Sequence, residues 1–126
     1  MPRRFDHIDL RVPDLDAVRP FYRRLLPALG FTEEVSWPDW LQFVSAGEGA
    51  TEFFGVTEAI GHVPNENRIA FWAANLKEVD TVAKLLPEIG AKNIEGPEFY
   101  ECDFYYVVFF EDPAGNRLEL CHRFQN

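Results

Sequence analysis

The stretch DHIDLRV near the start of the chain alternates strictly, with Ile8, Leu10 and Val12 on one side and His7, Asp9 and Arg11 on the other. A period of two marks a strand with one buried face. The period then changes. Val18, Phe21, Tyr22, Leu25 and Leu26 recur at helical spacing, and Asp14 or Asp16 can cap the helix. Proline is comfortable only near a helix start, so Pro20 predicts that the regular part begins around Arg19. Pro27 bends or ends this helix, and Gly30 supplies the flexible residue past it. Three strand-like runs follow: FTEEVSW, WLQFVSA and TEFFGVT.

The pattern then starts again. LLPALG (Leu25 to Gly30) has a near twin in LLPEIG (Leu85 to Gly90). Walking back from the twins, Ile8, Leu10, Leu15 and Val18 fall on Ile69, Phe71, Leu76 and Val79, all 61 positions apart. Walking forward, WLQFV meets YVVFF at 66, and TEFF meets LELC at 67. The second copy offers AKNIEGP, DFYYVVFF and RLELCHR as strands, the last two joined by EDPAGN, whose Asp112, Pro113 and Gly115 spell a type I turn. Repeats decide the architecture before anything else does. The sequence therefore predicts an α+β protein of two βαβββ modules, about 1–60 and 61–126. Neither module alone easily buries the inner face of its sheet, so the two curved sheets are expected to meet and enclose a cleft.

Composition narrows the function. The chain has 126 residues, enough for a sizeable core in a single domain, with 47% hydrophobic and 15% aromatic residues. A net charge of -9 argues against a nucleic-acid partner, because a phosphate backbone attracts basic faces. No apolar run approaches the ~18 residues of a membrane span. Cys102 and Cys121 show no paired-cysteine or cysteine–histidine spacing, which fits reduced thiols in a cytoplasmic protein.

The combination of DHIDLRVPDLDAVRPFY near the start and DPAGNRLEL near the end resembles the vicinal oxygen chelate superfamily: glyoxalase I, fosfomycin and bleomycin resistance proteins, and extradiol dioxygenases. The likeness covers essentially the whole chain, including the duplication. It implies that the tandem modules form a curved mixed-sheet half-barrel around the cleft, with a small-molecule ligand or substrate and a divalent metal inside, often at a homodimer interface. It also implies ligands. The first-strand histidine matches His7, the last-strand glutamate matches Glu119, and the glutamate closing the first module matches Glu52. The remaining family ligand, a histidine in an HIAF pattern, is replaced by Arg68 in NRIAF. A guanidinium has no usable lone pair and stays protonated, so it cannot hold a cation.

Two functions stay open from the sequence. In the first, His7, Glu52 and Glu119 hold Zn, Ni, Mn or Fe, and Glu52 or Glu119 serves as general base in a lyase or dioxygenase. In the second, Arg68 takes the metal's place, and the cleft binds a small molecule or drug without catalysis. Strand alternation puts Phe54 and Trp72 on the cleft side with Glu52 and Arg68, and Gln42 joins them as a ligand-binding candidate. The aromatic set of Trp37, Trp40, Phe54, Trp72, Phe99, Tyr100, Tyr105 and Tyr106 splits between pocket lining and core. His62 sits in a loop and His122 on the core side of the last strand. Cys121 shares the face of Glu119 and is read as a small buried thiol. Asp9 and Arg11 are read as a cross-strand ion pair.

Overall fold

The computed structural model describes residues 4–49, 51–100 and 104–124, so Cys102 lies outside the described residues. The chain separates into two compact units, Met1–Val63 and Pro64–Asn126. The first contains β1 (His7–Val12), α1 (Leu15–Ala28), β2 (Phe31–Trp37), β3 (Trp40–Ser45) and β4 (Phe53–Glu58). The second contains β5 (Arg68–Trp72), α2 (Leu76–Ile89), β6 (Lys92–Tyr100), β7 (Tyr105–Glu111) and β8 (Arg117–Arg123). Each unit is an α+β module with a four-stranded mixed sheet, ordered β1-β4-β3-β2 or β5-β8-β7-β6. In both, the first strand runs parallel to the last, and the other pairings are antiparallel.

The first helix begins earlier than Pro20 suggests. Asp14 is its N-cap and accepts a hydrogen bond from the Ala17 N–H, so the helix runs from Leu15 and carries both Pro20 and Pro27 inside it. Each proline removes one internal hydrogen bond. The apolar stripe outweighs that loss: Leu15, Val18, Phe21, Tyr22, Leu25 and Leu26 are all buried, and full burial of such a side chain contributes roughly 1.5–3 kcal/mol. The second helix has a stronger start. Asn75 accepts from the Glu78 N–H at 2.8 Å, while the Glu78 carboxylate accepts from the Ala74 N–H at 3.3 Å. The twin phrases end both helices, with Gly30 at φ +94° and Gly90 at φ +90°, a backbone region that favours glycine.

Strand register sorts side chains between two faces of each sheet. Ile8, Phe54 and Phe43 lie side by side across the first sheet, as do Leu10, Val56 and Leu41. This face lies under α1, where Phe54 stacks on Tyr22 at 5.9 Å between ring centres. In the second unit Leu118, Leu120, Val108 and Phe110 occupy the corresponding face and are all buried. The turn after β7 fixes what the other face carries. Asp112 accepts from the N–H groups of Ala114, Gly115 and Asn116, while the Asn116 side-chain amide donates back to its carboxylate at 3.0 Å. A one-residue slip here would turn Glu119 to the opposite face.

Candidate functional site

On the face of the second sheet turned away from α2 there is a cleft of about 290 Å³. Its floor and walls are Ala70, Trp72, Tyr105, Glu119, Cys121 and Arg123. Ala70 lies beside Glu119 and Trp72 beside Cys121 in the β5–β8 register. Glu119 is a carboxylate only 7% exposed, an expensive arrangement unless it is hydrogen-bonded. The Tyr105 hydroxyl donates to Glu119 Oε2, and Cys121 lines the same cleft. The Arg123 guanidinium stacks 4.0 Å from the centre of the Tyr105 ring. Burial, the hydrogen bond to Glu119 and that group's charge hold the Tyr105 hydroxyl well above the ordinary tyrosine range. Burial first, and Glu119 second, push the Cys121 thiol up to about 11, so it is no thiolate nucleophile at neutral pH. Trp72, by contrast, is 71% exposed at the cleft's edge. Arg68 lies further along β5, its guanidinium 4.6 Å from the centre of the Phe109 ring.

The first unit carries different chemistry on its corresponding face. His7 is exposed, its ring stacked on Phe53 at 4.5 Å and its Nδ1 2.7 Å from Asp6 Oδ2. Glu52 precedes β4 and is ion-paired with Arg4. Asp9 pairs with Arg11 within one strand, not across strands as the sequence suggests, and also accepts from the Thr57 hydroxyl. Gln42 lies beside Gly55 in the β3–β4 register. Trp37 and Trp40 face each other at 4.6 Å, nearly parallel. The Trp40 indole lies over Gly55, so that a Cβ at that glycine would come within 3.2 Å of Nε1.

Register also corrects the repeat. Asp9 pairs with Gly55 and Ala70 pairs with Glu119, and Ala70 follows Asp9 by 61 residues. The counterpart of Glu119 is therefore Gly55, 64 positions earlier, and not Glu52. Likewise Gln42 beside Gly55 answers Phe109 beside Glu119, an offset of 67 and not the 66 drawn from WLQFV and YVVFF. Each slip is odd, so each exchanges the two sheet faces. Phe54 is moved by the same correction: it is a fully buried residue under α1, not a companion of Trp72.

Residues 4–120 match the profile of the Glyoxalase/Bleomycin resistance protein/Dioxygenase superfamily. The chain belongs to this superfamily. It is 31% identical over 121 residues to the uncharacterized protein YqjT of Bacillus subtilis (strain 168), covering 90% of this chain and 94% of that one. Among solved structures it resembles a glyoxalase/bleomycin resistance protein from Albidiferax ferrireducens T118, with TM-score 0.75, 25% identity and coverage of 94% and 98% of the two chains. It shares the fold of the fosfomycin resistance protein FosX from Listeria monocytogenes, with TM-score 0.73, 21% identity and coverage of 98% and 96%.

The divalent ion used by many members of the glyoxalase superfamily poses a test of the donor set. The repeat equivalents of His7 and Glu119 are Arg68 and Gly55, and neither offers a donor to a metal. Glu52 lies outside the pairing and is engaged by Arg4. Among the described residues no three His, Cys, Asp or Glu side chains are grouped so as to hold a metal. These residues do not fit a metal centre. The sequence did not single out Tyr105 as the partner of Glu119, nor Arg123 as a residue of the same cleft. Arg123 was within reach, because it is four residues beyond Glu119 on one strand and therefore on the same face. Tyr105 was not, since its place depends on the β7–β8 register set by the Asp112 turn. His62 sits in a turn where its N–H donates to Ala59 O, and His122 Nδ1 lies 3.0 Å from Ala73 O.

Proposed function

We propose that this protein is a small-molecule-binding member of the glyoxalase superfamily that works without a divalent ion, with the cleft of the second unit as its ligand site. One observation carries the reading: the repeat puts a guanidinium and a glycine at two positions where a metal needs donors. The Glu119 carboxylate accepts from the Tyr105 hydroxyl and keeps acceptor capacity to spare, an arrangement that suits recognition of a donor group. Arg68 and Trp72 add a fixed charge and an exposed aromatic face on β5 for an anionic or flat ligand. The homodimer that the family resemblance implies belongs to this reading, with light scattering as its check. The decisive experiment is metal analysis by plasma mass spectrometry on untagged protein prepared without chelators, before and after incubation with Zn, Ni, Mn and Fe. The expected result is far less than one ion per chain in every sample. Near-stoichiometric metal that disappears in Glu119→Gln would overturn the reading and restore a metal-dependent lyase or dioxygenase.

A further inference from the structure

Two arginines of the second unit stand side by side. Arg68 on β5 and Arg117 on β8 are register partners on adjacent parallel strands. Both belong to the face that carries Glu119, because Arg117 lies two residues before it and Arg68 two before Ala70, its register partner. The sheet order is β5-β8-β7, so the Arg68 side chain crosses β8 to bring its guanidinium 4.6 Å from the centre of the Phe109 ring on β7. The neighbouring acids serve other partners. Glu111 lies beside Arg117 in the β7–β8 register, yet its Oε1 accepts from the Asn93 side-chain amide at 3.0 Å. Glu119 accepts from the Tyr105 hydroxyl. Among the described residues no carboxylate lies within ion-pair distance of Arg68 or Arg117, whereas Arg4, Arg11, Arg19 and Arg23 each hold one. Carboxylates are not scarce, since the chain has 21 acidic against 12 basic residues. Like charges directly opposite one another on a sheet are destabilising. A face that keeps two of them together is organised for an anion from outside.

The chemistry of the pair selects the anion. Stacking on Phe109 engages the face of the Arg68 guanidinium and leaves its N–H edge for hydrogen bonds in the plane. One guanidinium fork satisfies a carboxylate, which has a single charge and two oxygens. Two forks suit a phosphate monoester, with its three terminal oxygens and about two charges. Ala70, the next residue of β5 on this face, lines the cleft of about 290 Å³, so open space begins beside the arginines. We propose that Arg68 and Arg117 bind the dianionic phosphate of a small phosphate monoester, whose organic part extends over Ala70 into the cleft. The charge of Glu119 keeps the phosphate at the arginine end. This assignment deepens the metal-free reading above and rests on it.

The test is isothermal titration of the full chain, in phosphate-free buffer, with phenyl phosphate, phenyl sulfate and inorganic phosphate. Phenyl phosphate should bind tightest. Phenyl sulfate, which carries one charge, and inorganic phosphate, which has no organic part, should each bind at least tenfold more weakly. Arg68→Gln and Arg117→Gln should each weaken phenyl phosphate at least tenfold and shrink its advantage over phenyl sulfate. Without ligand, Arg117→Gln should not lower the urea midpoint, because it removes a repulsion; a lowered midpoint would reveal a structural partner and overturn the assignment. No binding of phenyl phosphate, equal affinity for phenyl sulfate, or undiminished binding in both variants would do the same. Inorganic phosphate as tight as phenyl phosphate would overturn the ester. The same protein is analysed for metal beforehand. Metal-free protein that ignores phenyl phosphate sinks only the phosphate assignment, whereas stoichiometric metal sinks the metal-free reading itself.

Discussion

The two units share strand order, helix placement and helix ends, yet their faces away from the helix have become chemically unlike. In the first, Gly55 removes a side chain and the Trp40 indole lies over the vacated backbone beside Trp37. In the second, the matching position is Glu119, ringed by Tyr105, Cys121 and Arg123. On the helix side the units stayed alike, since Ile8 and Ile69, Leu10 and Phe71, and Val56 and Leu120 all remain apolar. Close packing explains the difference. A buried apolar position under the helix accepts few replacements because any cavity costs stability, while the other face is not packed against the helix and tolerates a change from glycine to glutamate.

The comparison can be broken most forcefully at Phe54 and Trp72, which strand alternation assigned to one side. Phe54→Ala should cost about 3–5 kcal/mol in urea unfolding, whereas Trp72→Ala should stay within about 0.5 kcal/mol. Similar costs at the two sites would contradict the face assignment. A smaller contrast separates the two carboxylates. Glu119→Ala strands the Tyr105 hydroxyl and should cost about 1–3 kcal/mol, while Glu52→Ala breaks a partly exposed ion pair worth at most ~1 kcal/mol.

A pH series sharpens the same contrast. Cys121 and Tyr105 both have raised values in the folded protein, so folding favours their neutral forms. Their contribution is complete below the ordinary values, 9.0 for the thiol and 10.0 for the phenol, and is lost as pH rises beyond them. The urea midpoint should therefore fall between pH 9 and about 11, and a Tyr105→Phe/Cys121→Ala protein should show a shallower fall. An unchanged slope in the double variant would show that the cluster is not responsible. The smallest effect is optical. Trp37→Ala should abolish the circular-dichroism signal of the stacked indole pair with a stability change near ~0.5 kcal/mol or less, and persistence of that signal would refute the stack.

Much of the fold was legible because periodicity is a local signal. The alternation in DHIDLRV, the helical stripe from Val18 to Leu26 and the twin LLP phrases give both modules directly. The candidate site was only half legible, for a reason of parity. The connection between β3 and β4 covers residues 46–52, while that between β7 and β8 covers 112–116, and the two lengths cannot be aligned by composition. An error of one or three residues there leaves the strands in place but exchanges their faces, which is how Glu52 came to stand for Gly55 and Phe54 for a cleft residue. The early start of α1 was hidden for a different reason. Propensity weighs Pro20 locally, whereas six buried side chains decide the outcome.

The indole over Gly55 also bears on what residue 55 can become. A Cβ there would lie 3.2 Å from Trp40 Nε1, so the indole would have to give way by a few tenths of an ångström. Any side chain at residue 55 therefore competes for space with the Trp37–Trp40 stack, and the bare backbone is what lets the two rings lie flat against the strand.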